Sequence, residues 1–249
     1  MEAARVAAER GHDVVLFEKD RTLGGQLKLA MTPPFKRDLW GLLAYLKGQV
    51  RRKVKVKLQQ EIHSQDLLNL QFDSVIVATG CAPPSPTRYP HAKVANCWDI
   101  LRGKAKIEGQ RVAVIGKWRV ACETAELLSK RRKKEVTLIH SGPIEELGCD
   151  MEPIFERRLL LNRLKDCGVE ILNDTAVVEI TDEGVKVHSH GAGFIPCDHV
   201  VVEEVPTLNN SLLRELRGNV EVIGIGDCIE PRDLYQAIHD GFRAGYRIG

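Results

Sequence analysis

The sequence is poor in the features that would place it in a membrane, outside a cell or on nucleic acid. No stretch approaches the roughly 18 uninterrupted apolar residues of a membrane span, and the opening MEAARVAAERGHD has no apolar signal-peptide core. Lys and Arg number 36 against 34 Asp and Glu, a formal net charge of +2, so neither nucleic acid nor an anionic membrane is expected as the main partner. The seven cysteines (Cys81, Cys97, Cys122, Cys149, Cys167, Cys197 and Cys228) are odd in number and scattered, with no CxxC pair. That pattern argues against a zinc site, a thioredoxin-like redox pair and a local iron–sulfur run, and no metal site is expected. It points to the reduced thiols of a soluble, cytoplasmic protein, most of them small core residues. Also missing is any strand ahead of the first helix.

What is present is a regular alternation of short apolar runs with helix-period segments. A chain of 249 residues with 43% hydrophobic content suits about two domains. Residues 2–10 form a helix closed by Gly11, and Asp13 leads into the strand VVLFEK. After the Pro33-Pro34 break come a helix over 35–50, the strand VKVKL, the helical turn QDLLNL, the buried strand FDSVIVATG and the crossing loop CAPPSPTRYP. Residues 98–110 read as a linker or short helix. The plan then restarts with strand RVAVIG, helix 119–132, strand EVTLIH and a helix over 153–166, followed by CGVEILND. TAVVEITD, GVKVHSH and CDHVVVEE alternate and predict a small antiparallel sheet, with Gly184 and residues 191–193 in its turns. VEVIGIGDC and the helix DLYQAIHDGFRAGYRI close the chain. Residues 1–20 and 112–140 share a helix–strand plan, so a duplicated βαβ unit is predicted.

Such alternation implies parallel sheets with helices on both faces, and ligands of such folds sit beyond the carboxyl ends of the strands. Candidate residues stand at those ends. Glu18 closes VVLFEK, with Lys19 beside it, where an acidic side chain accepts both ribose hydroxyls of an adenosine. Gly24, Gly25 and Gln26 offer bare backbone to phosphate oxygens. Ala78, Thr79 and Gly80 follow SVIV, and Gly226 and Asp227 follow VEVIGI. In VAVIGKWRVACETAELL, Gly116 and Ala121 take the first and third positions of a G-x-G-x-x-A turn, but Trp118 holds the second, where a side chain would occupy phosphate space. Taken singly, these signals read equally well as glycine turns and ordinary acidic strand ends. In this order and at these separations they are specific.

The motifs FEKDRTLGGQL, SVIVATGCAPPSP, VAVIGKWRVACETAELL and VIGIGDCIEPRDLYQAIHDGFRAGYRIG resemble the flavin-linked reductases with two dinucleotide domains. Specifically, the chain is similar over essentially all its residues to the C-terminal FAD/NAD(P)-binding half of the NADH:flavin oxidoreductase and 2,4-dienoyl-CoA reductase family, which includes the trimethylamine dehydrogenase type. The resemblance implies an α/β fold of tandem Rossmann-like FAD/NAD(P)-binding domains, the first lacking its leading strand, with a small antiparallel sheet. The FAD domain would comprise residues 1–103 and 205–249, interrupted by an NAD(P) domain at 104–204. The resemblance further implies that Glu18 holds the adenosine ribose of FAD and that Gly24, Gly25 and Gln26 lie along its pyrophosphate and flavin. Ala78, Thr79 and Gly80 would border the cofactor, Gly226 and Asp227 would face the pyrophosphate and ribityl chain, and Gly116 and Ala121 would shape the seat of NADH or NADPH.

Departures from the family pattern qualify those expectations. The glycine-rich strand and turn that would cradle the FAD pyrophosphate are not in the chain, which is expected to impair FAD binding. The barrel that carries FMN, an iron–sulfur cluster and the acid/base residues is likewise not in it, so a separate barrel-type flavin domain or self-association is the expected partner. Trp118 is expected to fill the diphosphate seat of the nicotinamide nucleotide or force its turn open, the alternative being that it swings outward and packs on the surface. The strand ending at His140 offers neither the acidic residue that favours NAD nor an arginine for a 2′-phosphate, leaving that preference open. The basic run Lys130–Lys134 sits at a helix carboxyl end and reads as solvated. His188 and His190 share a strand face but lack an evident third ligand, and read as hairpin histidines. No hydrolytic constellation is present. Two functions follow: the cofactor-domain portion of a flavin-dependent oxidoreductase, passing hydride between NAD(P)H and FAD, or a non-catalytic fragment or remnant of such a reductase with weak or no nucleotide binding.

Overall fold

The structure, a computed structural model, describes residues 1–82, 89–189 and 191–249. The middle of the crossing loop, 83–88, and His190 lie outside the described residues, so the His188/His190 pairing is not placed. The chain divides into two compact units, Met1–Met31 with Lys36–Ala82 and Pro206–Gly249, and Thr32–Phe35 with Pro83–Val205.

In the first unit the helix Glu2–Glu9 buries Ala3, Val6 and Ala7. Gly241 and Gly245 of the closing helix, Leu234–Arg247, lie against it so closely that a Cβ at Gly245 would run into the Ala3 carbonyl. Strand Val15–Glu18 pairs in parallel with Lys55–Leu58, and Ser74–Val77 pairs in parallel with Glu221–Gly224. Side-chain alternation along the first strand puts Leu16 among Leu23, Val50 and Val54 on one face and Phe17 among Leu67, Val77, Leu213 and Leu216 on the other. The sheet is thus covered on both faces, as a doubly wound unit requires. It is also split, because the two strand pairs are not hydrogen-bonded to each other. A short antiparallel ladder joins Cys81–Ala82 to Thr207–Leu208.

The second unit holds an unbroken five-stranded parallel sheet in the order Val94–Asn96, His199–Val202, Arg111–Ile115, Glu135–Ile139, Glu170–Leu172. Its central strand is flanked on both sides, and Val112, Ala113 and Val114 are fully buried. The helix Arg119–Arg132 follows it directly, with the bounds read from the sequence. A small antiparallel sheet, Ala192–Pro196 with Gly184–His188 and Ala176–Ile180, completes the unit.

Several elements depart from the sequence reading. CDHVVVEE is not in the antiparallel sheet: its strand His199–Val202 joins the parallel one, because Val200, Val201 and Val202 are all buried and the run is continuous rather than alternating. Residues 192–193, expected in a turn, belong to the strand that takes its place. Residues 94–102, read with the first unit, fold with the second, since Val94–Asn96 pairs with His199–Val202 and leads into helix Cys97–Arg102. The helix expected from residue 35 begins at Leu39, because Phe35 belongs to the second unit, stacked 3.6 Å beneath the Arg163 guanidinium. The helix expected at 153–166 opens as a π-turn, Pro153–Arg157, before Arg158–Asp166. The Glu152 carboxylate accepts the amides of Ile154 and Phe155 there, at 2.9 and 2.7 Å.

Candidate functional site

The candidate residues of the first unit gather around the start of helix Glu2–Glu9, which no side chain caps. Glu18, the last residue of its strand, accepts the Asp20 amide at 3.0 Å and lies within electrostatic reach of the Met1 nitrogen. Lys19 is exposed next to it. Gly24 and Gly25 turn the chain through positive φ, +132° and +46°, and a Cβ at Gly25 would meet nothing within 4 Å. Beyond that turn the Gln26 Nε2 donates to the Cys81 sulfur at 3.2 Å and to the Cys81 carbonyl at 3.3 Å. The Cys81 thiol in turn faces the Asp227 carboxylate at 3.7 Å, whose other oxygen accepts the Arg232 amide at 3.3 Å. Three segments far apart in sequence therefore share one polar cluster.

Gly226 links that cluster to the helix start. Its φ of +62° suits glycine, its amide donates to Asp240 at 3.3 Å, and the next residue of that helix, Gly241, lies against Glu2. Ala78 and Thr79 are exposed at the end of Ser74–Val77. The Thr79 hydroxyl donates to the Asn209 carbonyl, while the Asn209 amide returns a 3.0 Å bond to the Gly80 carbonyl. Burial pushes the Cys81 thiol up to about 11, so at neutral pH it is a protonated donor and not a nucleophile. Burial likewise raises Asp227, against the opposing pull of the Arg232 amide and the Cys81 and Gln26 side chains. Open space over Gly25, the positive φ of Gly226 and a carboxylate at Asp227 able to accept a sugar hydroxyl fit a dinucleotide such as FAD.

The second unit keeps the turn and fills it. Gly116 ends the central strand, and a Cβ there would sit 2.6 Å from both the Ala121 and Glu203 Cβ atoms. The Glu203 carboxylate accepts the backbone amides of Lys117 at 3.0 Å, Trp118 at 2.7 Å and Ala121 at 2.9 Å. Asp150 accepts the Arg119 amide at 2.8 Å. The Trp118 indole stays 37% exposed, with the Lys117 ammonium 4.5 Å from its ring centre. Burial drives Glu203 up to about 7, against the three amide bonds and with help from the Asp150 charge. His140, at the end of the next strand, is buried and held neutral by desolvation. Four of the turn's amides thus already donate to carboxylates.

Of the residues singled out from sequence, the structure brings Gln26, Gly80, Gly226 and Asp227 together, places Glu18 near the same helix start, and pairs Gly116 with Ala121 in the second unit. Cys81, Asn209, Asp240, Asp150 and Glu203 were not singled out. For Glu203 a signal exists: HVVVEEV repeats SVIVATG, with Glu203 in the place of Ala78.

The sequence pattern of the family described as "Pyridine nucleotide-disulphide oxidoreductase" matches residues 1–222. Bilirubin reductase of Mediterraneibacter gnavus is 36% identical over 253 residues, covering 98% of this chain and 38% of that protein. NADH oxidase of Thermoanaerobacter brockii is 31% identical over 258 residues, covering all of this chain and 39% of that protein. Among solved structures, a complex of 2-naphthoyl-CoA reductase with 2-naphthoyl-CoA superposes with a TM-score of 0.90 at 32% identity, over 99% of this chain and 38% of that one. The chain thus spans about two fifths of the length of these relatives. With a matching pattern over most of its length and the same tandem α/β fold, the chain belongs to the pyridine nucleotide-disulphide oxidoreductase family and corresponds to the C-terminal FAD/NAD(P)-binding half of the trimethylamine dehydrogenase-like reductases.

Proposed function

We propose that the chain is the FAD-binding portion of a flavin-dependent oxidoreductase whose relatives exchange hydride between NAD(P)H and flavin. The observation that carries this reading is the convergence of Gln26, Cys81 and Asp227 beside Gly226, three strand-end segments meeting in one polar cluster. FAD supplies the two-electron chemistry when bound, and the protein supplies alignment. In this reading Glu18 accepts the adenosine ribose hydroxyls, with Lys19 at the rim, and Gly24 and Gly25 admit the diphosphate. Ala78, Thr79 and Gly80 border the cofactor, and Asp227 accepts a ribityl hydroxyl. The FAD-binding domain is the discontinuous first unit and the NAD(P)-type domain the second.

The two-fifths coverage supports a further flavin-carrying barrel as partner, and seven free cysteines support the cytoplasm as the compartment. No helix among the described residues is long and apolar enough to cross a membrane. The second reading, a remnant with little nucleotide binding, is favoured for the second unit alone by the carboxylates in its turn. Titration with FAD tests the first reading: a saturable flavin band is expected, and Asp227→Ala should weaken it about tenfold, the size of one charge-assisted hydrogen bond. No FAD uptake by the folded chain would refute it.

A further inference from the structure

In a dinucleotide seat the amides of the turn and of the first helical residues donate to the diphosphate. In the second unit Lys117, Trp118 and Ala121 donate to Glu203, and Arg119 donates to Asp150. Of the five amides from 117 to 121, only that of Val120 has no such carboxylate partner. We propose that Glu203, assisted by Asp150, stands in for the diphosphate and excludes NADH, NADPH and other anionic dinucleotides from the second unit. The inference rests on reading that unit as a dinucleotide-type unit and is independent of FAD binding by the first.

The carboxylate is held in place by the sheet. Val202 pairs with both Asn96 and Ile115, and the Glu203 amide donates to the Ile115 carbonyl at 2.8 Å, so its backbone cannot swing away without breaking the centre of the sheet. Gly116 is bare because the Glu203 Cβ and Oε2 come to 2.6 and 2.7 Å of where its own Cβ would be. A diphosphate would have to displace this carboxyl group from the three amides that hold it, or lie beside it, where it is a like charge once ionised. Trp118 contributes its amide, while its indole rests on the surface under Lys117. Exclusion is therefore a property of residue 203 and not of the indole's bulk.

The test titrates NADH into the wild-type chain, Glu203→Ala, Glu203→Gln and Trp118→Gly, with FAD uptake measured on the same preparations. The expected result is no saturable NADH binding by the wild type or by Trp118→Gly, and a gain of about tenfold or more in Glu203→Ala, with a smaller gain in Glu203→Gln. Tight NADH binding by the wild type, or a gain in Trp118→Gly with none in a folded Glu203 variant, overturns the proposal. If the variants do not fold, amide spectra of the wild type decide. The Lys117, Trp118 and Ala121 resonances should not move when inorganic pyrophosphate is added, and saturable movement would overturn the inference. Loss of FAD uptake alone would refute the function proposed for the first unit and leave this result standing.

Discussion

Helix Glu2–Glu9 of the first unit and helix Arg119–Arg132 of the second differ in what meets their first amides. Glu2–Glu9 begins with no side-chain cap, beside Glu18 and the Gly226 loop. Arg119–Arg132 begins with two carboxylates seated on its amides. The sheets behind them differ in the opposite sense: the first is split into two pairs whose strands are largely half-buried, and the second is continuous around a fully buried strand. In the second unit the sheet is continuous and the turn amides are met by the unit's own carboxylates. An uncapped helix start leaves donors for a ligand, and a capped one converts the same donors into stability.

The contrast can be broken by mutation. Leu138, fully buried in the continuous sheet, should cost about 2–5 kcal/mol as Leu138→Ala in denaturant unfolding. Leu16, partly exposed in the split sheet, should cost roughly 1 kcal/mol as Leu16→Ala. Equal costs would mean that the first sheet is as tightly packed as the second.

The next effect is on pH dependence. Glu203 is raised from an ordinary 4.5 to about 7 in the folded chain, so between those values the native state binds the extra proton. Its contribution is fully present below about pH 4.5 and is lost as pH rises through about 7, a decline on the order of 3 kcal/mol. The groups acting on it are the Lys117, Trp118 and Ala121 amides and the Asp150 carboxylate, with the buried Cys97 and Cys122 nearby. Glu203→Gln should flatten that part of the stability profile, and an unchanged slope would place the titration elsewhere. The smallest effect concerns an ordinary cap, Asn96, whose side chain accepts the Asp99 amide at 2.8 Å. Asn96→Ala should cost about 1 kcal/mol, a reference for what capping is worth without a buried charge.

The sequence made the strands Arg111–Ile115 and Glu135–Ile139 and the helices Arg119–Arg132 and Leu234–Arg247 legible, because apolar runs followed by a glycine or a helix period leave few alternatives. His199–Val202 was assigned to the wrong sheet since its flanking polar residues imitate alternation, while the run of three valines belongs to a strand buried on both faces. The strand-end candidates follow from the rule that ligands of parallel sheets sit beyond the strand ends, and the structure places Gln26, Gly80 and Asp227 around Cys81. Glu203 was not legible, since an acidic pair after a strand is commonplace. Only its place in the repeat, where Ala78 stands in the first unit, sets it apart. Trp118 drew attention by its size, yet the polar bonds are made by its backbone and by a carboxylate 85 positions away, a relation that no local motif encodes.

Equilibrium dialysis of the wild-type chain against FAD and NADH together tests the difference between the two units most directly. One FAD should be retained per chain and no NADH; retention of NADH, or of neither nucleotide, would contradict the proposed division of roles between the units.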